Sequence, residues 1–173
     1  LAQPERRAEG AEPYDLVILD APAPGHGVAV LGAPHTFART ARVGRVARQA
    51  RIIDDLVTDP QRTAVVAVAR PEEMPVNETI QLRADLADEV GLPLSLAVVN
   101  RVTQDRLSAA DARAVEAAGD SPAVLVALGR HRRARAERSQ VARLRRRLDC
   151  PVVCLHDLRR PALDAEAIHA LAR

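Results

Sequence analysis

Lysine is missing from this chain: all 25 basic residues are arginine. Chemistry that needs a lysine amine, whether a Schiff base or the phosphate-gripping lysine of a glycine-rich loop, is therefore excluded within these residues. Tryptophan is also absent, and Phe and Tyr occur once each. A core must then be built from Ala, Val, Leu and Ile. Bases find no aromatic platform to stack on, which disfavours single-stranded nucleic-acid binding and leaves no nucleic acid among the expected partners. The two cysteines, Cys150 and Cys154, are too few for a disulfide framework and lack neighbouring ligands for a closed zinc site. Because Pro151-Val152-Val153 beside them reads as buried strand, they read as core thiols, with no zinc expected. No run reaches the roughly 18 apolar residues of a transmembrane helix, and no charged-then-apolar leader opens the chain. The expected compartment is the cytoplasm. A net charge of +2 points to neither a polyanion nor an acidic substrate.

The 173 residues suffice for one domain with a real core, or for a large part of a bigger one. The apolar run Leu16-Val17-Ile18-Leu19 ends in Asp20 and passes into Ala21-Pro22-Ala23-Pro24-Gly25-His26-Gly27. A strand without polar alternation is buried on both faces, and the parallel sheets that contain such strands bind ligands beyond their carboxyl ends. Asp20 occupies that end. The prolines and glycines predict a fixed, non-helical path with N–H groups open to an anion. An ordinary strand-to-loop exit closed by an acidic residue fits the same spacing.

Strands and helices alternate almost to the end of the chain. Val43, Val46, Ala50, Ile53 and Leu56 recur at spacings of three or four, predicting an amphipathic helix over residues 37–57. Arg39, Arg42, Arg45, Arg48 and Arg51 take the intervening positions. A β-branched run at 63–68 predicts a strand, and Pro75 fits the first turn of a helix that extends to about residue 89 and ends at Gly91. Residues 94–99 read as a third buried strand, and Ser108 with Asp111 marks a helix start. Residues 123–148 read as one long or broken helix, 151–155 as a last strand and 164–171 as a last helix, while residues 1–13 read as loose. Four strands separated by helices predict an α/β fold: a three-layer, mostly parallel sheet with helices on both faces and right-handed crossovers.

The stretch Tyr14-Asp15-Leu16-Val17-Ile18-Leu19-Asp20-Ala21-Pro22-Ala23-Pro24-Gly25-His26-Gly27 resembles the strand and second switch loop of the arsenical pump-driving ATPase (ArsA) family. That family's signature runs D-T-A-P-T-G-H-T, and it includes the targeting factor for tail-anchored membrane proteins. Pro71-Glu72-Glu73-Met74-Pro75-Val76-Asn77-Glu78-Thr79 resembles the family's passage from loop to helix, with Glu78 matching its E-T pair. Ala97-Val98-Val99-Asn100-Arg101 is similar to the strand whose terminal asparagine contacts adenine. The resemblance implies a P-loop NTPase-like domain with ATP and Mg²⁺ as cofactors. It implies that Asp20 holds Mg²⁺ through its water shell and that Pro22, Gly25 and His26 belong to a switch loop sensing the γ-phosphate. It also implies that Glu78 contacts nucleotide across a dimer and Asn100 contacts adenine. Leu155-His156-Asp157-Leu158-Arg159-Arg160-Pro161 takes the place of the family's final base loop, typically E-V-R-G, which puts Asp157 and Arg159 near the base. On the residues alone, His26 reads equally as a packing or capping histidine, Asn100 as a turn residue and Glu78 as a carboxylate favoured by the helix dipole.

Three departures from the family pattern stand out. Pro24 stands where the signature has threonine. The glycine-rich phosphate loop with its two lysines is not among these residues, nor is the family's zinc-binding cysteine pair. Without that loop the main electrostatic stabilisation of phosphoryl transfer is missing. Residues 1–173 therefore read as the carboxyl-terminal part of one ArsA-like ATPase domain, inactive alone. The first crossover units, on the order of a hundred residues, are expected ahead of Leu1. The implied partners are ATP, a homodimer mate or paired ATPase half, and a membrane transporter or membrane-protein client. The implied location is the cytoplasm, including the inner face of the membrane as a peripheral protein.

Two other readings stand beside this one. Nine arginines and one glutamate, Glu137, lie between Gly129 and Asp149. They fit a nucleotide-independent basic adaptor for a membrane surface or protein partner, or the solvated face of a helix docked through Val141, Leu144 and Leu148. A doubly wound domain without nucleotide chemistry, resembling a response regulator, is the third.

Overall fold

The computed structural model describes residues 14–21, 24–41, 43–158 and 164–171. Two helices come first, α1 (Pro24–Thr40) and α2 (Arg45–Val57). Strand β1 (Val65–Ala69), helix α3 (Glu73–Asp85) and strand β2 (Leu94–Val102) follow. Helices α4 (Ala109–Ala117) and α5 (Pro122–Arg147), strand β3 (Val152–His156) and helix α6 (Ala165–Leu171) complete the chain.

The three strands form one parallel sheet in the order β1-β2-β3. Moving steadily in one direction through right-handed crossovers places every connecting helix on the same face. Helices α3 and α5 both pack on β2 and also on each other, as that rule requires. Against this face lies the core, in which Val76, Leu86, Leu92, Val99 and Leu144 are fully buried. Each such side chain stabilises the fold by roughly 1.5–3 kcal/mol. Val28 carries α1 into the same core. On the opposite face Val66 and Val68 are 48% and 68% exposed.

Local chemistry sets the element ends. Helix α3 runs on into a single π-helical turn (Leu86–Val90) and stops at Gly91, whose φ of 75° is left-handed and open to glycine at no steric cost. The Gly91 and Leu92 N–H groups both donate back to the Leu86 carbonyl, the latter at 3.1 Å, which closes the turn and seats two buried leucines. Ser108 and Asp111 form the expected reciprocal capping box at the start of α4.

Three expectations are corrected. Residues 14–20 form no strand: Leu16 and Ile18 are 75% and 85% exposed. An extended segment becomes a strand only where a neighbour completes its backbone hydrogen bonds, and the sheet among the described residues has three strands, not four. The non-helical loop expected over 21–27 is helical from Pro24 onward, because proline is accommodated at the first position of a helix, where its missing N–H has no partner to lose. The single helix expected over 37–57 is two helices, interrupted at Gly44 with φ 98°.

Candidate functional site

The apolar run of β2 gives way at its carboxyl end to Asn100 and Arg101, both exposed. Val99 pairs with Cys154 but Val102 pairs with His156, so β2 carries one extra residue in a β-bulge. Arg101 sits in that bulge with φ 59°, the only left-handed non-glycine among the described residues. Such a conformation costs about 1–2 kcal/mol and persists only where the surroundings fix it.

The surroundings do so. Beyond the bulge the Thr103 N–H donates to Glu137 Oε2 at 2.6 Å and the Thr103 hydroxyl to Oε1 at 3.1 Å. Arg133 Nε donates to the same Oε1 at 2.7 Å, and Glu137 is only 3% exposed. The bond from Arg133 to Glu137 holds that guanidinium's protons more firmly than usual. Two residues further, the Asp105 carboxylate accepts from Arg138 at 2.9 Å and lies 3.1 Å from His131 Nδ1. Burial pushes Asp105 upward, but Arg138, His131 and the Leu107 N–H outweigh it and hold the carboxyl below its ordinary value. Arg130 donates to the Gln104 carbonyl at 3.0 Å. Helix α5 thus clamps the whole exit of β2.

Around this exit opens a cleft of about 330 Å³ at the carboxyl ends of all three strands. Arg70 follows β1, Arg101 and Thr103 end β2, Asp157 follows β3, and Arg130 and Arg133 reach in from α5. Arg70 is paired with Glu72 at 2.8 Å, whereas Arg101 approaches Asp157 only to 3.9 Å. The carboxyl ends of parallel strands are where α/β sheets bind ligands.

Among the residues expected from sequence, Asn100 and Asp157 are brought to this end of the sheet. Glu78 is exposed on α3, and Asp20 is exposed ahead of α1, outside the sheet. Gly25 and His26 are exposed in the first turn of α1 rather than in a loop. Pro22 and Arg159 lie outside the described residues. Cys150 and Cys154 are free and half-buried, and burial pushes the Cys150 thiol up. Asn100 offers an amide donor and acceptor suited to a base edge. No group of three or more metal-ligating side chains forms among the described residues, and no helix there is long and apolar enough to cross a membrane. The described residues therefore offer an amide for the base of a nucleotide and no cluster of ligands for Mg²⁺.

Arg70 and Arg101 were not expected as site residues, and Arg130, Arg133 and Glu137 stood out only as members of the arginine-rich run between Gly129 and Asp149. One signal was available: Glu137 is the lone acid within nine arginines, and a lone acid there neutralises a cation where water is scarce.

A parallel three-stranded sheet with crossover helices and a polar cleft at its carboxyl ends makes this an α/β domain, and with the family match it is consistent with the P-loop NTPase-like class. Residues 40–118, a stretch that contains Glu78 and Asn100, match the family model of the anion-transporting ATPases (ArsA). No curated protein matches the chain.

Proposed function

We propose that this chain forms the base-binding side of an ArsA-like ATPase that couples ATP binding and hydrolysis to transport of an anion or targeting of a membrane-protein client. The observation that carries the reading is the family match over residues 40–118, together with Asn100 exposed at the carboxyl end of β2 inside that match. Hydrolysis requires a phosphate loop with its lysine, so the chain alone does not turn over ATP. Further crossover units bearing that loop pack against the bare sheet face at Val66 and Val68, and in the assembled site Asp20 contributes one carboxylate to the water shell of Mg²⁺. The assembly works as a homodimer or as one of two paired ATPase halves, in the cytoplasm or at the inner face of the membrane.

Calorimetry of the chain with Mg-ATP tests this, followed by ATPase assays on the natural polypeptide that contains both the phosphate loop and these residues. Very weak binding by the chain and turnover by the longer polypeptide are expected. Micromolar affinity or turnover by the chain alone contradicts the reading. Affinity for anionic vesicles that falls steeply with salt, without any nucleotide effect, favours a basic adaptor in its place.

A further inference from the structure

We propose that the arginine cleft at the carboxyl end of the sheet binds a small phosphate-bearing anion. The proposal does not rest on the ATPase reading, because it requires neither Mg²⁺ nor a phosphate loop. Four guanidinium groups enter the cleft from three parts of the chain: Arg70 after β1, Arg101 at the end of β2, and Arg130 and Arg133 from α5. Their charges are only partly spent. Arg70 is taken up by Glu72 and Arg133 Nε by Glu137. The contacts of Arg101 with Asp157 and of Arg133 with Glu72 are both 3.9 Å, beyond hydrogen-bonding range. Arg130 has a backbone carbonyl as its partner, which offsets no charge.

The geometry selects among anions. A planar carboxylate is satisfied by one bidentate fork lying in its plane, whereas a tetrahedral phosphate accepts donors arriving from several directions at once. Guanidiniums converging from separate elements match the second case. The cleft volume of about 330 Å³ suits a small ligand. The bulge at Asn100 and Arg101 turns the backbone so that an arginine occupies the left-handed position, and the buried Glu137 bonds Thr103 and Arg133 together, fixing one wall of the cleft to the other. Glu137 is in this sense a positioning residue.

Two sources of the same chemistry are separable: a free oligophosphate and a phosphomonoester. Metal-free calorimetry on the whole chain uses pyrophosphate and glycerol phosphate as probes, with Arg101→Gln, Arg130→Gln and, outside the cleft, Arg146→Gln. Saturable binding of at least one probe is expected, weakened about tenfold by Arg101→Gln and by Arg130→Gln and unchanged in Arg146→Gln. Tighter binding of pyrophosphate assigns the cleft to a free oligophosphate, and tighter binding of glycerol phosphate assigns it to an ester. Should Arg101→Gln fail to fold, Arg130→Gln, at a half-buried position whose side chain donates to the Gln104 carbonyl, carries the test. Absence of saturable binding for both probes, or equal weakening by all three substitutions, overturns the proposal.

Discussion

Replacing Glu137 by alanine removes the carboxylate that ties the exit of β2 to α5. Its loss strands a Thr103 N–H now 2.6 Å from Oε2 and a hydroxyl 3.1 Å from Oε1. A hydrogen bond to a charged acceptor contributes about 1.5–3 kcal/mol, and the hydroxyl bond adds about 1 kcal/mol. Arg133 is more than half exposed, so water takes over much of its lost pairing and that contribution is small. Alanine's better helix propensity returns a few tenths of a kcal/mol. The expected net destabilisation is about 2–3.5 kcal/mol, which lowers a urea midpoint by roughly 1–2 M at unchanged slope for a chain of this size. Glu137→Gln keeps an oxygen for the Thr103 N–H and should cost about half as much. A midpoint for Glu137→Ala within about 0.5 kcal/mol of wild type would refute the view that this carboxylate pins the site.

Acid titration offers a second check. Because the folded state holds Asp105 below its ordinary value of 3.8, the unfolded chain binds that proton more readily, so the stability it contributes is present above that value and is lost as pH falls through the lower folded one. Asp105→Asn should flatten the acid limb of a stability profile followed by circular dichroism, and an unchanged limb would count against the clamp. Gly91→Ala meets no neighbour within 4 Å but must adopt φ 75°, so thermal unfolding should show a loss of about 1 kcal/mol; no loss would mean the turn relaxes. Val68→Lys on the bare sheet face should raise solubility, measured by light scattering, with stability within about 0.5 kcal/mol of wild type. A large loss of stability would show that the face is covered within this chain.

The parts of the fold legible in sequence are those whose partners lie close by. The β-branched runs behind β1, β2 and β3 carry their own signal, and Ser108 with Asp111 caps a helix by contacts three residues apart. Gly91 ended its helix as expected because a left-handed residue is a local demand. Residues 14–20 misled because the run shows apolar residues but not whether a neighbouring strand is there to pair with them. In α5 the apolar stripe Val141, Leu144 and Leu148 was visible, yet its upstream continuation is His131, Ala134 and Glu137, buried against the exit of β2. Hydrophobic periodicity does not register a stripe of that kind. Asn100 and Asp157 were pointed to by the family resemblance at the ends of their strands, whereas the cleft arginines come from separate elements that meet only after folding.

Steady-state hydrolysis in the polypeptide that joins these residues to a phosphate loop shows whether Asn100 meets the base of ATP. Base contacts hold substrate and transition state alike, so Asn100→Ala should raise KM about tenfold and leave kcat nearly unchanged. A KM for ATP equal to that of wild type contradicts the claim.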